Sequence, residues 1–407
     1  MKKLTFIHGA DLHLDSPLIG LKDLPSSIFQ RIKESTFTAF RKLIDEAIHN
    51  QVDFVILAGD LFDGEDRSIR AQTRLRKELV RLEENQIDVF IIHGNHDHLG
   101  GKWSNLKMPE NVHVFTEMVE RKELIAKSGA IVNLYGFSYP KRHVIERRVL
   151  EYEKIGDADF HIGLLHGNLE GRSEHGNYAP FTLKELLDKQ FDYWALGHIH
   201  KRTLLSENPP IVYPGNIQGR NRKELGGKGC YFVELTEEDS NLHFVETSDI
   251  VWRELKLDGN NLHDFQSLYQ CCRKGMDSIR QDGTGNLVHL LIKNITLEDK
   301  QLESTIKQDL LEALQEEERE EESFIWPISI QFEEAIHWDP TTLSGSTDFF
   351  SELFTVINNY QDYDPTLDSL YNHTIARRFL DGLSIEDKEK ILTEAENMLI
   401  EQLIRNK

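Results

Sequence analysis

Apolar residues run in short blocks through the first half of the chain, and each block ends on glycine followed by charged or imidazole side chains. The segments LTFIHGADLHL (residues 4–14), VDFVILAGDLFD (52–63), IDVFIIHGNHD (87–97), FHIGLLHGN (160–168) and FDYWALGHIH (191–200) share this form. Short continuous apolar runs bounded by turn residues read as strands buried on both faces. Between them, about residues 28–50, 67–85 and 181–190 have helical spacing. Strands alternating with helices predict βαβ units and a largely parallel sheet covered on both faces, an α/β fold. In such sheets the ligand site lies outside the carboxyl ends of the strands. The polar clusters fall there every time.

Beyond IVYPGNIQGRNRKELGGKGCYFVEL (211–235) the pattern changes. Residues 241–258 read as strands, about 262–280 as a helix, 286–297 as a strand, about 300–320 as an acidic helix and 323–334 as a strand. The expected organisation is a first domain over 1–240, a small α+β domain over 241–337, and a linker with a helical region over 338–407. The run EEEREEE (316–322) reads as the solvated end of a helix, and WDPTTLSGST (338–347) as the linker. Near the end, Ser384 opens a capping sequence, Ser-Ile-Glu-Asp. Leu392, Ala395, Leu399 and Leu403 then form a stripe at spacings of three and four, suited to packing on the chain itself or on a partner.

Charge divides the chain in the same place. The net charge of −22 argues against a nucleic-acid binder taken whole. Yet residues 1–230 hold 32 basic and 32 acidic side chains, whereas residues 231–407 hold 15 and 37. A neutral first part can present a basic face, which leaves the acidic part for solubility or for a basic protein partner. Three cysteines, two of them adjacent, do not make a disulfide framework and fit a reducing compartment. The first apolar run is broken by His8 and Asp11 before a signal-peptide core forms, and no run has the ~18 apolar residues of a membrane span. The expected location is cytoplasmic.

Histidine is concentrated too, 13 of 18 lying at or before residue 200. Asp11 and His13 in GADLH, Asp60 in AGDLFD, Asn95 and His96 in GNHD, His166 in LLHGN, and His198 and His200 in LGHIH would crowd one edge of the sheet. In extended chain, residues i and i+2 point the same way, so Asp-x-His and His-x-His can face one ion or bracket two. Carboxylate and imidazole without thiolate suit Mn, Fe or Zn. Two carboxylates, neutral imidazoles and one amide leave two divalent ions with an excess of about two positive charges by formal counting, which attracts phosphate and favours ionisation of a bound water. An asparagine ligand binds through its carbonyl oxygen without neutralising the ion.

At these residues the sequence resembles the calcineurin-like metallophosphoesterase superfamily, whose motifs run D-x-H, G-D, G-N-H-D/E, H and G-H-x-H. The resemblance implies a sandwich of sheets covered by helices and a di-metal site, with manganese the leading metal. One ion would be held by Asp11, His13, Asp60 and His200, the other by Asp60, Asn95, His166 and His198. His96 would be the general acid or charge stabiliser near the scissile phosphate, with Asp97 as its supporting partner. The order of motifs through YPGN (213–216) and GGKGCYFVEL (226–235), followed by the α+β segment and helices, looks like the SbcD-type DNA repair exonucleases, YhaO-like variant. That likeness implies DNA as substrate, a capping second domain, and C-terminal helices bound to the coiled coil of an SMC-like, SbcC-type ATPase. The chain has no G-x-x-x-x-G-K-[ST] loop, so an ATP-driven step needs another subunit. A second copy of the chain is a further candidate partner.

Basic residues add local candidates. Lys201 and Arg202 follow the last motif and are expected on phosphate, with Arg220 beside them in GRNRKE (219–224); Arg142, Arg147 and Arg148 lie between site loops. Asp15 and Asp63 read as supporting or helix-capping residues. The expected function is metal-dependent hydrolysis of DNA phosphodiester bonds. The alternatives are a phosphatase or phosphodiesterase for a small nucleotide or a protein, and a docking subunit without catalysis.

Overall fold

In the computed structural model the described residues are 2–16, 21, 24–63, 68–101, 106–171, 177–260, 262, 264–295, 303–319, 321–334, 348–360 and 384–405. They group into two compact units. The first comprises Met1–Leu257, Phe265–Leu291 and Ser304–Gln331; the second comprises Asp258–Asp264, Ile292–Glu303 and Phe332–Lys407.

The first unit opens with strand β1 (Lys3–Gly9), helix α1 (Ser26–His49), β2 (Phe54–Ala58), α2 (Ile69–Glu84), β3 (Asp88–Ile92) and β4 (Val112–Val114). These strands run parallel, and β11 (Gly229–Thr236) and β12 (Ser240–Glu246) add antiparallel beside β1, giving the order β12-β11-β1-β2-β3-β4. A second sheet holds β5 (Glu120–Ile125), β6 (Ile131–Gly136), β7 (Phe160–His166), β8 (Tyr193–Gly197), β9 (Thr203–Glu207) and β10 (Pro210–Tyr213) in the order β5-β6-β7-β8-β10-β9. Its interior strands β6, β7, β8 and β10 are parallel, and its two edges are antiparallel.

The single sheet expected from the strand pattern is therefore two mixed sheets. Alternate residues of the same strands explain why both faces are apolar. Phe6, Phe54, Ile56, Phe90 and Ile92 point into a shared core with Val132, Leu134, Ile162, Leu164 and Ala195 of the second sheet. Their neighbours Ile7, Val55, Leu57, Val89 and Ile91 point the other way, against Phe40, Leu43 and Ile44 of α1 and Leu75 and Leu79 of α2. The outer face of the second sheet is covered by a 3₁₀ turn (Arg148–Glu151) and α3 (Leu183–Asp188), whose Thr182–Glu185 capping box closes its first turn.

Two contacts bind the sheets where the site forms. His8 of β1 lies 3.0 Å from the hydroxyl of Tyr193 in β8, and burial pushes its pKa down to about 3, so the imidazole is neutral. Gly197, at the end of β8, allows β2 to come close. A Cβ there would sit 1.8 Å from the Ala58 carbonyl oxygen and 2.9 Å from His166 Nδ1. Gly197→Ala should destabilise the fold by about 1–3 kcal/mol through overpacking. Urea unfolding followed by tryptophan fluorescence measures this; an unchanged midpoint would show that the approach is not tight.

The α+β segment contributes β13 (Ile250–Asp258), α4 (Phe265–Asp277), β14 (Gly285–Ile295), α5 (Glu303–Glu316) and β15 (Ile325–Glu334), the strands forming a sheet in the order β13-β14-β15. Within the first unit it seats on α1, where Ile28 and Ile32 pack with Ile250, Trp252, Leu287, Phe324 and Trp326. Arg31 spans this seam, donating to both Asp249 carboxylate oxygens and to the carbonyl oxygens of Gly283 and Glu322. The acidic run at 316–322 departs from its expected solvation at one residue. Glu318 is buried, bonded to Arg273 and Arg280 and to the Ile325 N–H.

In the second unit, α6 (Asp348–Asn358) and α7 (Ile385–Arg405) bury Phe350, Phe354 and Ile400 together, with Leu353 and Leu403 against them. The Ser384 cap is reciprocal with Asp387. Of the expected stripe, Leu403 joins this cluster, while Ala395 is exposed and Leu399 is 41% exposed. Ile400, one position on, takes the buried place. The expected linker lies outside the described residues but for its position in the sequence. No helix among the described residues is long and apolar enough to cross a membrane.

Candidate metal centre

The strand ends β1, β2, β3, β7 and β8 meet at one edge of the sandwich, and the chain turns there in unusual ways. Asp11, His13, Asp60 and His198 all have positive φ (51°, 42°, 50° and 98°). Non-glycine residues adopt this region at a cost, and clusters of such strain mark functional sites. Packing is tight as well. A Cβ on Gly59, itself at φ 91°, would lie 2.2 Å from His166 Nδ1.

The side chains fall into two groups. In the first, the ring nitrogens His13 Nε2 and His200 Nε2 face each other at 3.0 Å, with an Asp11 oxygen close enough to share an ion. In the second, His166 Nε2 lies 3.1 Å from Asn95 Oδ1 and 3.3 Å from Asp60 Oδ2, and His198 Nδ1 lies 3.2 Å from the same Asn95 oxygen. Asp60 sits between the groups, its Oδ2 also 3.9 Å from His13 Nε2. Both Asp11 oxygens accept the His198 backbone N–H, at 3.0 and 3.1 Å, which joins the first sheet to the second.

Tautomers show what belongs in these gaps. His166 Nδ1–H donates to the Ala58 carbonyl at 3.0 Å, so its Nε2 presents a lone pair to Asp60 and Asn95. His200 Nδ1–H donates to the Glu224 carboxylate at 2.8 Å, so its Nε2 presents a lone pair to His13 Nε2, while His13 Nδ1 lies 3.5 Å from Asp63. Converging lone pairs repel unless a cation lies between them. A spacing of 3.0 Å is that of two nitrogens side by side on one ion at about 2.1 Å. The donor set therefore fits divalent metal, with the His166 and His200 imidazoles fixed from behind by an acceptor.

Electrostatics agree. Burial opposes ionisation of Asp60, but His166, His13 and His96 outweigh it and hold the carboxyl well below the usual range. Burial likewise disfavours charge on His166, yet Asp60 and Asp11 keep its pKa up at about 9. The pocket thus draws a positive charge between these groups, and a proton and a metal ion compete for that place. Asp11 goes the other way, raised by burial against the pull of His200 and His166.

His96 belongs to a third cluster, with His13 and Asp63, whose ligand atoms are also close enough to share an ion. Its ring is 31% exposed, its backbone N–H donates to Asp60 Oδ1 at 2.9 Å, and its Nδ1 lies 3.0 Å from Asp63 Oδ1. Burial alone would lower its pKa, but Asp63 and Asp60 raise it. Asp63 in turn is held far below the usual range, burial being overcome by bonds from His13 and His96 and by the charge of Arg220. The carboxylate beside His96 is thus Asp63, where Asp97 was expected. Asp97 is buried and accepts from Leu61 N–H, Gly94 N–H and His93 Nδ1 at 2.7–2.9 Å, bracing the loops after β2 and β3.

The expected phosphate contacts separate. Lys201 is exposed beside His200. Arg202 lies over the Phe244 ring at 4.0 Å, which ties it to strand β12. Arg220 donates to Asp63 and Ser16 at 3.1 and 3.2 Å, so it braces the carboxylate under His96. Arg147 pairs with Glu170 and Glu185, and Arg148 with Glu151, which accounts for those two structurally, while Arg142 is exposed. Asp15 accepts from Ser68, the residue that caps α2. Glu224 gave no sequence signal, being 24 positions from the histidine it holds.

Residues 4–202 match the family described as calcineurin-like phosphoesterase. Over 404 residues the chain is 43% identical to the uncharacterized metallophosphoesterase YhaO of Bacillus subtilis (strain 168), covering 98% of both chains. It is also similar to two archaeal proteins named DNA double-strand break repair protein Mre11. That of Methanocaldococcus jannaschii is 27% identical over 265 residues, 62% of this chain and 68% of the relative. That of Sulfurisphaera tokodaii is 26% identical over 278 residues, 65% and 68%.

Proposed function

The chain belongs to the calcineurin-like metallophosphoesterase family, and from that membership we propose that it is a metal-dependent DNA phosphodiesterase of exonuclease type. The observation that carries the chemistry is the convergence of lone pairs from both sheets on two adjacent gaps. Asp11, His13, Asp60 and His200 would hold one ion; Asp60, Asn95, His166 and His198 would hold the other. Manganese suits this mixed oxygen and nitrogen set. When bound, the ions would supply Lewis acidity, polarising phosphoryl oxygens and making a water nucleophilic near neutral pH.

The remaining work belongs to the protein's own side chains. His96, whose pKa Asp63 and Asp60 raise and whose ring is open to solvent on one side, would donate a proton to the departing oxygen or stabilise its charge. Arg220 adds to His13 and His96 in keeping Asp63 ionised for that task. Lys201 is placed to meet an adjacent phosphate. Asp97 acts through the loops it braces, as a positioning residue.

DNA as the substrate is supported by the likeness to the Mre11 repair proteins, which extends over 265 residues and so beyond the 4–202 segment. The α+β segment over 241–337 would serve as a cap. The acidic C-terminal region, whose last helix presents Ala395 and Leu399 to solvent, would dock on the coiled coil of an SMC-like ATPase.

The test is cleavage of end-labelled linear double-stranded DNA by the purified chain with Mn2+, beside a simple phosphodiester ester. Shortening of the DNA is the expected result. Hydrolysis of the ester while DNA stays intact, with and without the ATPase, would sink the DNA reading and point to a smaller substrate.

A further inference from the structure

Glu224 lies in the loop between β10 and β11, half-buried, with its two carboxylate oxygens committed to different neighbours. Oε1 accepts His200 Nδ1–H at 2.8 Å. Oε2 accepts the Asn216 side-chain amide at 2.8 Å and the Arg220 backbone N–H at 2.7 Å. One oxygen thus orients a metal-facing imidazole, while the other closes the loop on itself.

That loop is bound from its far side to the first cap strand. Gln218 Oε1 accepts Asp249 N–H at 2.8 Å and its Nε2 donates to the Ile250 carbonyl at 2.6 Å. Trp252 Nε1–H donates to the Gly219 carbonyl at 3.1 Å, and Gly226 N–H to the Trp252 carbonyl at 2.9 Å. Asp249, which neighbours these contacts, is held by Arg31 of α1. A chain of hydrogen bonds therefore runs from α1 and the start of β13 through residues 218–226 to Glu224 and His200.

We propose that Glu224 is a positioning residue that makes metal binding on the His200 side depend on how the cap strand is seated. The inference rests on the di-metal reading above. His166 is held by the Ala58 carbonyl within the sandwich, with no contact to this loop among its bonds. The two gaps should then respond unequally to the same change.

The probe is Mn2+ alone, titrated by calorimetry into the full-length chain and followed by the electron paramagnetic resonance signal of an exchange-coupled manganese pair. Glu224→Gln keeps the volume but supplies only one acceptor oxygen, so one neighbour meets an amide NH2. It should weaken one of the two ions by about 10–100-fold, the usual effect of removing a partner that orients a ligand. Trp252→Phe keeps an aromatic ring and removes one of the loop-to-cap bonds, the Trp252 Nε1–Gly219 carbonyl bond, at a residue outside the ligand set. It should weaken the same ion in the same direction, and the double variant should be no worse than Glu224→Gln. Circular dichroism of the metal-free variants establishes that each is folded before the titrations are compared. Unchanged affinities in Glu224→Gln overturn the positioning role, and a Trp252→Phe effect that is absent or fully additive overturns the coupling. Fewer than two ions on the unmodified chain would overturn the di-metal reading itself.

Discussion

Replacing Asp60 by asparagine should lower turnover by about 10³-fold or more, because one substitution removes charge from both gaps at once. The side chain is nearly isosteric, and asparagine tolerates the left-handed backbone that Asp60 adopts at φ 50°. Its carbonyl oxygen can still accept the His96 N–H that Asp60 Oδ1 accepts at 2.9 Å. The fold should therefore persist while the anionic bridge beside His166 and His13 is lost. Rates on DNA and on a simple diester, together with metal content by mass spectrometry, separate the two effects. Full metal loading and full activity in this variant would remove Asp60 from the centre.

His96→Asn should behave differently. In the proposed ligand set the histidine contributes its backbone N–H to Asp60 and no ring atom, its ring lying with Asp63 and His13, so both ions should load as in the unmodified chain. Turnover should fall by about 10²–10⁴-fold, the range of a lost general acid. The loss should appear in kcat more than in KM, since the proton is needed as the leaving oxygen departs. It should also shrink for a nitrophenyl ester, whose leaving group departs without protonation. Equal losses on good and poor leaving groups would assign His96 to charge stabilisation. Retained activity with loaded metal would leave it without a catalytic role.

What could be read from sequence follows how far each interaction reaches along the chain. Strands β1, β2, β3, β7 and β8 are legible because both faces are apolar and each ends at a polar cluster. Their division between two sheets is not, since the same alternation satisfies one sheet covered by helices or two sheets facing each other. Strand β5, ERKELI at an exposed edge, carries charge where a buried strand would carry valine or isoleucine, so nothing in its composition announces it. The ligands were visible because i and i+2 pairs are local. Asp63 was read only as a supporting or capping residue and Glu224 not at all, because their partners His96 and His200 lie 33 and 24 positions away and loop geometry alone brings them together. Asp97 illustrates the converse. Adjacency to His96 suggested a partnership, but its carboxylate points back into the turn that it closes.

The two sheets divide the ligand set between them in chain order. Asp11, His13, Asp60 and Asn95 all precede residue 100, whereas His166, His198 and His200 follow β7 and β8. A nascent chain that has emerged only through β4 carries both carboxylates but one of the four imidazoles. If these residues hold two ions as proposed, binding of the pair would wait until β7 and β8 have been synthesised and docked, when His198 N–H reaches the Asp11 carboxylate. The centre is in this sense a checkpoint on assembly: its chemistry becomes available only to a chain whose two halves have already found each other.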